Sequence, residues 1–69
     1  MAGEIKSAAE ATQIAVKFIR NYRMIASPLK AVRENDTWLV KIDVGPIFKT
    51  EASVKIDANS GEVLEYDIP

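Results

Sequence analysis

From Ala11 onward apolar residues recur at steps of three and four: Ala11, Ile14, Ala15, Phe18, Tyr22 and Ile25. That spacing is the period of an α-helix and makes one apolar stripe, with Glu10, Gln13, Lys17, Arg20 and Asn21 on the polar side. Ser7-Ala8-Ala9-Glu10 has the form of a capping box, so the helix is expected over about 7–24. Arg20 and Arg23 fall near its C-terminus, where cations favour the helix dipole. Pro28 disfavours helical geometry in the residue before it and closes the segment.

After Pro28 the period changes to two. Strands are expected at about 29–33, 38–44, 51–57 and 62–68. Trp38, Val40, Ile42 and Val44 should share one face, as should Ala52, Val54 and Ile56, and then Leu64, Tyr66 and Ile68. Leu39, Lys41, Asp43, Ser53, Lys55, Asp57, Glu65 and Asp67 take the opposite face. The first strand alternates weakly. One helix followed by three to four antiparallel strands is an α+β fold, a single domain over 1–69, with the helix stripe covering the apolar side of a meander sheet.

Between the last two strands lies Asp57-Ala58-Asn59-Ser60-Gly61. A calcium loop needs glycine at its sixth place and a bidentate carboxylate at its twelfth; counted from Asp57 those places hold Glu62 and Ile68. A hairpin turn accounts for every residue: Asp57 and Asn59 bond nearby amides, and Gly61 supplies a positive φ.

Composition narrows the chemistry. A chain of 69 residues, 48% hydrophobic and 28% charged, has room for one modest core. It holds neither cysteine nor histidine. Disulfides, thiolate nucleophiles and histidine-based triads are thereby excluded, and no metal or other cofactor is expected. Glu62, Glu65 and Asp67 are the remaining carboxylate cluster, but on a water-facing surface nothing would raise a pKa there. No catalytic residue is assigned and no enzyme is expected. No apolar run is long enough to cross a bilayer. The opening MAGEIKSAAEAT lacks a basic stretch followed by an apolar one, so a full-length chain would be cytoplasmic.

The net charge of −1 is unevenly placed. Residues 1–33 carry six Lys and Arg against two Glu, whereas residues 34–69 carry three Lys against eight acids. Lys17, Arg20, Arg23, Lys30 and Arg33 invite a nucleic-acid reading. A pI near 5.3 and the lack of interleaved aromatics favour solvated charge instead. Asn35-Asp36-Thr37 fits a glycosylation sequon, a match that a polar turn readily produces by chance.

Two features suggest a working surface. Pro46, Ile47 and Phe48 lie outside the strand alternation on a stiff Gly-Pro connection. They either fold back to plug one end of the core, which a small domain would want, or stand out as a partner-binding tip; the plug is the simpler expectation. The outer strands, at 29–33 and 62–68, offer edges for a peptide strand or for a second copy. Trp38 is expected in the core rather than as a stacking platform, with Tyr22 and Tyr66 lining that core.

With the helix, TWLVKIDV and EASVKIDANSGEVLEYDI in view, the chain resembles the PepSY family of small domains over about residues 5–68. The segment Val54–Leu64, with Gly61 in its hairpin, carries the most specific part of the likeness. A broader likeness is to cystatin-like architecture. A weaker one is to the sheet-and-helix region of gas-vesicle protein O, whose basic tail motifs are absent here. The PepSY resemblance implies a non-catalytic module that binds or inhibits a peptidase or another protein. No functional-residue motif transfers with it. The leading expectation is a protein-interaction module. A homodimeric structural or regulatory subunit comes second, and a binder of small apolar ligands a distant third.

Overall fold

A computed structural model describes residues 4–69, so residues 1–3 of the expected 1–69 domain lie outside the described residues. Helix α1 (Ala8–Ile19) is followed by β1 (Ser27–Glu34), β2 (Thr37–Asp43), β3 (Glu51–Asp57) and β4 (Val63–Asp67). The strands form one antiparallel sheet in chain order, with β1 and β4 at its edges. The chain is α+β, one helix laid on a four-stranded meander.

The helix begins where its hydroxyl and carboxylate place it. Ser7 Oγ accepts from the Glu10 amide at 3.2 Å, and Glu10 Oε1 reaches back to the Lys6 amide at 2.9 Å. The second bond lands one residue earlier than in the usual capping box. Ile5, just upstream, is buried; its amide donates to the Ala58 carbonyl, and its carbonyl accepts the Trp38 indole N–H at 3.0 Å. Helix start, β2 and the last hairpin are thus tied at one point.

The helix ends about five residues earlier than the sequence suggests. Beyond Ile19 the chain closes through short-range bonds, Asn21 N to Phe18 O and Tyr22 N to Ile19 O. The Phe18 and Tyr22 rings still meet, with centroids 5.4 Å apart. This contact carries the step of four past the helix end, which is why the stripe reads as a longer helix. Ala11, Ala15 and Ile19 form the buried ridge, flanked by half-buried Ile14 and Phe18. Tyr22 and Ile25 are exposed rather than in the core.

The inner strands follow their alternation. Trp38, Val40, Ile42 and Val44 are buried, as are Ala52, Val54 and Ile56. Trp38 is 7% exposed and is a core residue. Strand β1 is longer than expected, starting at Ser27; Pro28 is tolerated because its missing N–H falls on an edge strand. Strand β4 departs from simple alternation. Lys55 pairs with Glu65 and Ile56 with Val63, leaving Leu64 as an extra, bulged residue. Val63 therefore takes the helix side, and Leu64 stands half in water instead of joining Tyr66. Tyr66 lies opposite Val54 and meets Phe18 edge-on at 4.9 Å, but about half of it remains exposed. It caps the core rather than filling it.

The Asp57–Glu62 turn closes through Gly61 N to Asp57 O and Asp57 N to Glu62 O, each 2.8 Å. The Asp57 carboxylate accepts from the Asn59 amide and the Ser60 hydroxyl, so its oxygens are engaged inside the turn. Gly61 has φ +79°, and a Cβ there would come within 3.2 Å of the Ile5 side chain. The positive φ is what favours glycine, and a Cβ would in addition press on the Ile5 side chain.

Candidate interaction site

An up-and-down meander brings the start of β1, the end of β2, the start of β3 and the end of β4 to one pole. Helix α1 also ends at this pole, feeding β1 through residues 20–26. The opposite pole holds the polar turns at 35–36 and 58–62. The first pole is where apolar side chains accumulate in water.

Its most prominent part is the β2–β3 connection. Ile47 is 84% exposed and Phe48 80% exposed, with Pro46 exposed beside them. The core-plug expectation is overturned. The physical reason lies at the loop's base. Asp43 Oδ1 accepts from both the Gly45 and Thr50 amides at 3.0 Å. Val44 N donates to Thr50 O at 2.9 Å, and Thr50 Oγ1 donates to the Phe48 carbonyl at 3.3 Å. These bonds close the loop across its neck and turn the 46–48 segment outward. A Cβ on Gly45 would overlap the Phe48 carbonyl oxygen, so the neck closes this tightly only with glycine. The two amide bonds, with Lys49 adding a smaller attraction, lower the Asp43 pKa below 3.8.

Tyr22, Met24 and Ile25 in the α1–β1 link are also exposed at this pole, Met24 at 97%. Tyr22 stacks on Tyr66 with centroids 5.8 Å apart. The Arg23 guanidinium donates to the Pro69 carbonyl at 2.6 Å and to the Tyr22 carbonyl at 3.3 Å. The link is therefore fastened to the chain's C-terminal end.

The other sequence candidates are scattered. Arg33 lies over the Trp38 ring, 5.9 Å from its centroid, and donates to the Asn35 carbonyl. Arg23 is held by carbonyls, and Lys30 sits opposite Lys41 on the face away from the helix. Lys17 and Arg20 share the outer side of α1, while Arg23, Lys30 and Arg33 are placed elsewhere, so these five cations form no single surface. Glu65 pairs loosely with Lys55 at 3.8 Å, and both are in water. Such a pair contributes about 0–1 kcal/mol. Asp43, held below its usual range, is tuned away from acid catalysis. A surface depression of about 440 Å³ lies between Pro28 and the outer side of α1 at Thr12, Val16, Lys17 and Arg20. It is lined by no buried core residue.

Among the described residues no group of three or more acidic side chains could hold a metal ion. No helix among them is long and apolar enough to cross a membrane. The sequence signal for the tip was the break in alternation at Gly45. The neighbouring Met24 and Ile25 were missed because they read as the end of the helix stripe. No family model, curated protein or solved structure matches the chain.

Proposed function

We propose that this chain is a non-catalytic, PepSY-like interaction module that holds a protein or peptide partner at the Pro46-Ile47-Phe48 tip. The observation that carries the reading is the exposure of Ile47 and Phe48 on a loop closed at its neck by Asp43. Large apolar side chains left in water by so small a domain are costly unless something covers them. A loop already fixed in shape loses little entropy on binding, so burial of a phenylalanine there contributes about 1.5–3 kcal/mol. The resemblance of Val54–Leu64 to PepSY domains makes a peptidase the first class of partner to try.

Affinity capture from the source cell, run in parallel with native protein and an Ile47→Ser/Phe48→Ser variant, tests the reading. A partner retained by the native tip should bind the variant at least about thirtyfold more weakly, as expected for an anchor worth about 2 kcal/mol. Equal capture by both proteins would remove the tip from the function.

A further inference from the structure

On the face of the sheet away from the helix, one cross-strand row carries a charge gradient that the chain order alone does not reveal, while the row through Glu34, Thr37 and Asp57 does not follow it. Lys30 lies opposite Lys41, Lys41 opposite Ser53, and Ser53 opposite Asp67. One row thus runs across all four strands from Lys30 on the edge strand β1 and Lys41 on β2 to an acid on the edge strand β4. In the next row Glu65 stands beside Lys55, again with the acid outermost. Lys30 and Lys41 are like charges facing each other, an arrangement that destabilises a strand pair. Among the described residues the one ion pair is Lys55–Glu65, so neither lysine has a carboxylate partner.

Both edges are open. All of β1 except Ala31 is exposed, and all of β4 except Val63 is exposed. We propose that the occupant of each edge is a second copy of this chain, with β4 of one copy pairing to β1 of the next so that the sheet continues head to tail. The strand directions allow it: β4 runs opposite to β1, so a continued meander is antiparallel at the junction and keeps both helices on one side. Charge complementarity between the two edges favours it. Continuing the row sets Asp67 beside Lys30 of the next copy. A two-fold β4–β4 contact would oppose acids, and a two-fold β1–β1 contact centred on Val32, which sets Lys30 beside Glu34, would leave the acidic β4 edge unpaired. The β4 edge is thus guarded against itself and complementary to Lys30 of β1.

The contact is short, because Pro28 and the register shift before Lys30 leave about five regular residues on β1. Association is therefore weak, and it depends on salt and concentration. A heterologous contact of this kind grows into open chains unless the rotation closes a ring. The inference does not rest on the tip.

Sedimentation velocity over a range of concentrations, at about 0.02 M and about 0.5 M salt, tests it. The expected result is a sedimentation coefficient that rises with concentration at low salt and returns to the monomer value at high salt. Lys30→Glu and Asp67→Lys should each weaken association at least about tenfold with unchanged circular dichroism, and mixing the two variants should restore it. The Ile47→Ser/Phe48→Ser variant should associate like the native chain. A monomer under every condition overturns the inference. So does self-association that ignores the two charge variants, or that disappears with the tip variant.

Discussion

Asp43 is the residue on which the tip's shape depends, because one carboxylate oxygen accepts two amides across the loop neck. Those bonds favour the ionised form, so the folded pKa lies below the unfolded value of about 3.9. The stabilisation is therefore fully present above the unfolded pKa and is lost as pH falls through the folded value. NMR should show the Asp43 carboxyl titrating below 3.8, with the Gly45 and Thr50 amide shifts moving at the same midpoint. Gly61 makes a second residue-scale test. Ala there must adopt a positive φ and press on Ile5, so Gly61→Ala should cost about 1–2 kcal/mol in urea unfolding. At Ile56, fully buried beneath the helix, truncation to Ala should cost about 2–5 kcal/mol by the same measurement.

Among the elements, β2 and β3 were legible because each has the helix on one side and water on the other, which writes a period of two into the sequence. Strand β3 matches its expected bounds at Glu51–Asp57. The edges were less legible. In β4 the bulge at Leu64 resets the alternation, and no residue type announces it. The helix stripe was drawn one ridge off centre: Ala11, Ala15 and Ile19 face the sheet, while Ile14, Phe18 and Tyr22 lie on the adjacent ridge. Ile5 escaped because it belongs to no periodic element and lies two residues ahead of the Ser7 N-cap, one place before the usual staple position. The tip was identified as a candidate but its direction was not, since periodicity stops at Gly45 and the sequence does not state which way Phe48 turns. Native-state hydrogen exchange should give the highest protection in β2 and β3 and faster opening in the edge strands β1 and β4. Uniform protection across the sheet would mean the edges are covered.

At the scale of the whole molecule, the meander sorts the chain into a pole of polar turns and a pole where Ile47, Phe48 and Met24 face water. The core is complete without them: Ile19, Val40, Ile42, Val54 and Ile56 are fully enclosed between helix and sheet. That separation is what the proposed partner-binding role of the tip requires. Equilibrium urea unfolding of Ile47→Ser/Phe48→Ser, followed by Trp38 fluorescence, tests this separation most directly. A stability within about 0.5 kcal/mol of the native chain is the predicted result. A loss of about 2 kcal/mol or more would make the tip part of the core and contradict the account.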